Sequence, residues 1–191
     1  NLRMSASDDT LTSTANAEGV LRFWFDEHAK DWFVKNPDFD AGICKRFLPL
    51  HEAAAASQLG SWREAPRSCL ALVIVLDQFP RNMFRGEARA FATDELARAA
   101  ARVILERGWD RQMPQPEQLF AYLPFEHSEA LEDQDLSVEL MQDFDEEQRR
   151  YAERHRDIIR RFGRFPHRND ILGRQSTAAE IEFLRLPGSG F

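Results

Sequence analysis

The stretch TDELARAAARVILERG, Thr93 to Gly108, decides the fold class. Thr93 offers a capping hydroxyl, Asp94 and Glu95 place carboxylates where the N-terminal end of a helix dipole favours them, and Gly108 is a ready stop. Between these signals Leu96, Ala99, Ala100, Val103 and Ile104 recur at three- and four-residue spacing and make one apolar face. The same period continues upstream, with Val20, Leu21, Trp24, Phe25 and His28 in one stripe and Phe39, Ile43, Phe47 and Leu50 in the next. Asn36-Pro37-Asp38 reads as the turn between them, and Pro49 is expected to kink or split the second helix. The unbroken apolar run Cys69 to Leu76 reads as a buried helix, with a strand left open by Val73-Ile74-Val75. Downstream stripes are Leu119, Phe120, Leu123 and His127, with Pro124 as a kink or boundary; Leu131, Val138, Leu140, Met141 and Phe144; and Tyr151, His155, Ile158 and Phe162. Thr177 with Glu180 is a capping box that opens a short last helix through Leu184. Strand-like alternation is absent. The expectation is an all-α chain of antiparallel helix hairpins, arranged as an α-α superhelix or a bundle.

Length and charge narrow the function classes. The 191 residues fit a single helical domain over 16–191, preceded by a polar tail over 1–15. A net charge of −7 argues against a generally cationic nucleic-acid binder. No run approaches the ~18 apolar residues of a membrane span, and no secretory apolar segment is visible, so a soluble protein located in the cytoplasm is expected. Cys44 and Cys69 belong to apolar stripes and to no disulfide or zinc pattern. There is no HExxH, Walker lysine motif, GxGxxG or GxSxG, so no cofactor and no metal are expected. Residues 112–148 carry no Lys or Arg, while Arg149, Arg150, Arg154, Arg156, Arg160, Arg161, Arg164 and Arg168 follow, which predicts ion pairs within the chain.

Three clusters could carry chemistry. In the first, Asp77 closes an apolar helix and needs a cationic partner, Arg81 or Arg85. Pro80 is expected to end that helix and to set Arg81 and Asn82 in a fixed turn, with Gln78 beside them. The second, Arg164 to Asn169, repeats the order Phe-Pro then Arg-Asn with His167 and Arg168. Two such corners around one cleft would make a cationic pocket. The third holds Glu126, His127 and Glu129, with His155 from a later helix. Buried imidazoles and carboxylates are costly unless paired, and such groups often mark functional sites. Gly188-Ser189-Gly190 reads as a flexible tail.

The runs LDQFPRNMFRG (Leu76 to Gly86) and ARAFATD (Ala88 to Asp94), YLPFEHSE (Tyr122 to Glu129), YAERHRDIIRRFGRFPHRN (Tyr151 to Asn169) and the closing PGSGF resemble the bacterial domain-of-unknown-function family 924. The resemblance implies an all-helical, tetratricopeptide-like fold, although the tetratricopeptide sequence signature is missing, and it brings no reaction with it. The leading expectation is a pocket for a small anionic metabolite. Its binding residues would be Asp77, Gln78, Arg81, Asn82, Arg85, Arg164, His167, Arg168 and Asn169. If it is catalytic, His127 or His155 would be the acid/base, oriented by Glu126 or Glu129. Alternatives are a module binding a peptide or protein partner, a purely structural ion-pair network, and a divalent ion held by Glu126, Glu129, His127 and His155.

Overall fold

The computed structural model describes residues 16–191; the expectation of a polar tail over 1–15 lies outside them. Among the described residues every regular element is helical and none is a strand. Helix α1 (16–21) continues into a wide, π-type turn, Arg22–Glu27. It is followed by α2 (Pro37–Ala55), α3 (Pro66–Val73), a second π segment (Ile74–Gln78) and α4 (Phe79–Met83). Then come α5 (Asp94–Glu106), α6 (Gln115–Glu126), α7 (Leu131–Leu140), α8 (Glu146–Phe162) and α9 (Ala178–Leu184). No described helix is long and apolar enough to cross a membrane. The all-helical class is as expected; the tetratricopeptide likeness rests on the resemblance alone.

Packing groups the chain into two compact units. One takes the residues through Arg85 and Arg89–Pro124; the other takes Gly86–Ala88 and Phe125–Phe191. In the first unit α2 packs on α4 and α3 on α5 around buried Trp24, Phe47, Phe79 and Phe120. The aromatic rings meet mostly edge to face, as their quadrupoles prefer: Trp24 and Phe120 lie 5.4 Å apart at 86°. In the second unit α7 packs on α8, and Ile158, Ile159 and Phe165 form a core backed by Phe162 and Phe183.

Pro37 opens a helix, whereas Pro49 and Pro124 lie inside theirs. Asn36 does not sit in a free turn: its side chain accepts from the Asp38 and Phe39 amides and caps α2, with Pro37 in the first turn, where an N–H has no helical partner. Pro49 does not split α2. It lies on the exposed face with Lys45, so the carbonyl that loses its donor can turn to water. Pro124 likewise stays inside α6, and the division between the units falls just after it.

Pro80 does not end its helix either. It has no N–H to offer the carbonyls four and five residues back, Leu76 and Val75, and both are buried. The helix widens over Ile74–Gln78, and two side chains supply the missing donors: Thr93 Oγ1 donates to the Leu76 carbonyl at 2.7 Å, and His51 Nδ1 meets the Val75 carbonyl at 2.9 Å. Thr93 therefore does not cap α5 with its side chain, as its position predicts; the buried orphan carbonyl wins its hydroxyl. Gly108 does end α5, at φ 68°.

The charge segregation is explained by α8. Asp145 caps it through the Gln148 amide at 2.9 Å, Glu146 and Glu147 occupy the first turn, and Arg160 and Arg161 the last, matching the dipole at both ends. Asp135 of α7 faces Arg156 and Arg160 at 3.6 and 3.8 Å; this exposed pairing contributes little.

Candidate functional site

In the first unit Asp77 lies inside the widened helix and is 1% exposed. Arg81, one turn on, reaches its backbone carbonyl at 3.0 Å and its carboxylate at 3.4 Å, and Gln78 Nε2 donates to the other carboxylate oxygen at 2.9 Å. The stronger partner of Arg81 is Asp94, at the start of α5, held in a two-pronged pair at 2.6 and 2.9 Å. Asn82 and Arg85 point elsewhere: Asp40 of α2 accepts Asn82 Nδ2 at 2.8 Å and Arg85 Nε and Nη2 at 2.9 and 3.1 Å. These side chains lock α4 to α5 and to α2. The Arg81-Asn82 pair thus lies on a continuing helix, and both groups face carboxylates of their own chain.

The second corner has a different geometry. Gly163 stops α8 at φ 73°, and Pro166–Arg168 forms a tight 3-10 turn. The two Phe-Pro…Arg-Asn sequences are therefore not copies of one structural corner, and they belong to different units. Arg164 pairs with Glu180 through two bonds of 2.9 and 2.7 Å and donates to the Gln175 carbonyl at 2.7 Å. Glu180 also closes the expected capping box with Thr177 and accepts from Asn169 Nδ2 at 3.3 Å. These bonds, the Arg164 pair first, hold its carboxyl well below the usual range.

Arg174 was not a candidate from the sequence, yet it organises this corner. It donates to both Glu129 oxygens at 2.7 and 3.1 Å, to Asn169 Oδ1 at 3.0 Å and to the Phe165 carbonyl at 3.1 Å. The Phe165 amide takes Glu129 Oε2 at 2.6 Å. Both Glu129 oxygens are thus spent on the backbone and Arg174, and it is the Tyr151 carbonyl that fixes His155, through Nδ1 at 2.7 Å. No group of three or more His, Cys, Asp or Glu placed to hold a metal ion occurs among the described residues, which removes the set Glu126, Glu129, His127 and His155.

The end of α6 is clamped by Gln134, which is fully buried and donates to the Glu126 and Ser128 carbonyls at 2.8 and 2.6 Å. Glu126 is buried in this corner and His127 half-buried. Arg168 Nη2 donates to the His127 carbonyl at 3.0 Å, and its guanidinium lies 4.7 Å from the Phe165 ring centre.

Four groups that are or can become cationic are close neighbours here. Burial first, then His127, Arg168 and His167, push His155 down to about 3. Burial and Arg168 push His167 down to about 4, with Glu129 opposing and Arg174 adding. His167 Nδ1 is buried with no hydrogen-bond partner. The tail is not loose: Phe191 stacks on His155 with ring centres 3.7 Å apart.

The first unit carries cavities of its own. One is an open groove of about 670 Å³ along α2, lined by Asp40, Cys44, Leu48, Pro49 and Met83; the other, about 150 Å³, lies between Ala54, Leu72, Leu76 and Leu96. The Cys69 thiol, donating to the Ala100 carbonyl at 3.4 Å, is pushed up to about 12 by burial and is inert.

Residues 20–188 match the model of a family described as bacterial protein of unknown function (DUF924). The chain is similar to a solved structure titled "Structure of Protein of Unknown Function ATU0120 from Agrobacterium tumefaciens". The two share 43% sequence identity and a TM-score of 0.88 over 91% of this chain and 98% of that one. No curated protein matches the sequence. The chain belongs to the DUF924 family.

Proposed function

For this member of the DUF924 family, we propose that the second unit binds a small anion at His127, His155, His167 and Arg168. The observation that carries this reading is the Nδ1 atom of His167, buried in the cluster with no hydrogen-bond partner. Burial first, and then His127, Arg168 and His167 around His155, and Arg168 and Arg174 around His167 with Glu129 opposing, lower the pKa of both imidazoles. An anion among them would favour the protonated imidazoles. The other expected ligand residues, Asp77, Gln78, Arg81, Asn82, Arg85, Arg164 and Asn169, serve instead as a structural network, because each already bonds within the chain.

Calorimetric titration with inorganic phosphate tests this. Affinity should rise as the pH falls from about 6.5 toward the depressed values of the two histidines, since binding is coupled to proton uptake. Arg168→Gln should abolish it and Arg81→Met should not. Absence of binding heat at pH 6 with folded protein would overturn the reading.

A peptide- or protein-binding role is favoured by one separate feature of the first unit. Phe33, at φ 61° and 68% exposed, is stacked on Phe120 beside exposed Val34. Such a rigid aromatic presentation suits an interface anchor. Replacing Phe33 by Ser should then remove a captured partner without altering phosphate binding.

A further inference from the structure

The slot around His155 is filled by a ring of the chain itself. Phe191 lies over the imidazole at 3.7 Å and 19° from parallel. Phe165 turns its edge to both, at 5.6 Å from His155 and 6.4 Å from Phe191, and His167 meets Phe191 edge-on at 5.7 Å. The Arg154 guanidinium stands 5.3 Å from the centre of the Phe191 ring. The slot thus has a flat imidazole floor, aromatic edges and a cation beside it, which is what a planar π system seeks.

The ring arrives on a slender strap, Pro187 to Phe191. Its side-chain hydrogen bonds are Arg154 Nη2 to the Gly188 carbonyl at 2.8 Å and Ser189 Oγ to the Leu184 carbonyl at 3.2 Å. Gly188 has φ 74°, and a Cβ there would come within 3.1 Å of Arg154 Nη2, so the bend needs glycine. Phe191 remains 46% exposed. The ring is half in water, and the strap that carries it is held by two side-chain hydrogen bonds and by the ring contacts of Phe191. Beside it stands His167, whose unpartnered Nδ1 suits an anionic group when it carries a proton.

We propose that Phe191 stands in for the ring of a ligand: the site takes a small anion carrying a planar aromatic or heteroaromatic ring, and the strap 187–191 is the internal competitor that this ring displaces. This rests on the anion site proposed above.

The test compares three probes by calorimetry at pH 6: inorganic phosphate, phenyl phosphate and cyclohexyl phosphate. In Phe191→Ala, phenyl phosphate should bind about tenfold more tightly than to the unaltered chain, while inorganic phosphate changes by less than about twofold and cyclohexyl phosphate gains less than the planar probe. Phe191→Leu, which keeps apolar bulk without a π face, should give the same order if the alanine variant does not fold. The His155 ring protons report occupancy: the stacked Phe191 shifts them upfield, Phe191→Ala removes the shift and phenyl phosphate restores it. Equal affinity for the planar and the saturated probe overturns the inference while leaving the anion site standing. So does an equal weakening of all three probes in the variants. Failure of inorganic phosphate to bind any form overturns both.

Discussion

Removing the guanidinium of Arg81 should unfold the first unit far more readily, and the size of the effect follows from its partners. Asp94 is 7% exposed and Asp77 is 1% exposed, and Arg81 donates to both through bonds of 2.6 to 3.4 Å. Arg81→Met keeps the apolar stem but leaves these carboxylates buried without the cation, and breaking a buried pair in this way costs about 3–5 kcal/mol. At about 2–4 °C per kcal/mol for a chain of this size, the melting temperature should fall by about 6–20 °C. The readout is selective, because Trp24, Trp32, Trp62 and Trp109 all lie in the first unit; urea unfolding followed by tryptophan fluorescence therefore reports that unit. Adding Asp77→Asn and Asp94→Asn to Arg81→Met should recover at least half of the loss, since the uncompensated charge is then gone. A loss below about 1 kcal/mol for the single variant would refute the reasoning, because that is the value of a solvated surface pair. Loss of phosphate binding at unchanged stability would show that Arg81 is a ligand contact instead.

The histidine cluster gives a pH dependence. A base whose folded pKa lies below its unfolded value binds fewer protons when folded, so His155 should cost the second unit about 1.4 kcal/mol for each pH unit below about 6.5, down toward about 3, an effect that His155→Gln abolishes in thermal melts between pH 6.5 and 4.5. Glu180 works in the opposite sense as an acid: its depressed pKa stabilises above about 4.5 and that contribution fades as the pH falls further, so Glu180→Gln should flatten the acid limb and Glu180→Ala should cost about 3 kcal/mol at neutral pH. Thr93→Val should cost about 1–3 kcal/mol by leaving the Leu76 carbonyl without its donor. Pro80→Ala, which restores a backbone N–H at that turn, should reduce the Thr93→Val penalty in a double-mutant cycle; strictly additive effects would show that the hydroxyl does not substitute for the missing amide.

What the sequence disclosed was local. The α5 pattern, the Thr177–Glu180 capping box and the proximity of Asp77 to Arg81 one turn later all depend on spacing within a few residues, and each is present. The unexpected features depend on partners distant in sequence. Thr93 looks like a cap until the carbonyl orphaned by Pro80 is placed beside it. Asp40 and Arg174 carried no signal, because a carboxylate or guanidinium 45 residues from its partner looks the same as one facing water. Gly188-Ser189-Gly190 looked like a loose tail because glycine-rich composition speaks only of permitted backbone angles, and nothing local says that the next aromatic ring will find an imidazole.

Cations that build the scaffold are recognised by who stands opposite. Arg81 faces Asp77 and Asp94, Arg85 faces Asp40, Arg164 faces Glu180 and Arg174 faces Glu129. In each case the neighbouring carboxylate already offsets the charge, and a bound anion would have to compete with it. His155 and His167 are kept neutral first by burial and then by neighbouring cationic groups, with Glu129 opposing at His167. An anion placed there gains from every imidazole it allows to protonate. That asymmetry is why the functional proposal moves from the arginine-asparagine pairs, where the sequence pattern is most conspicuous, to the imidazoles beneath Phe191.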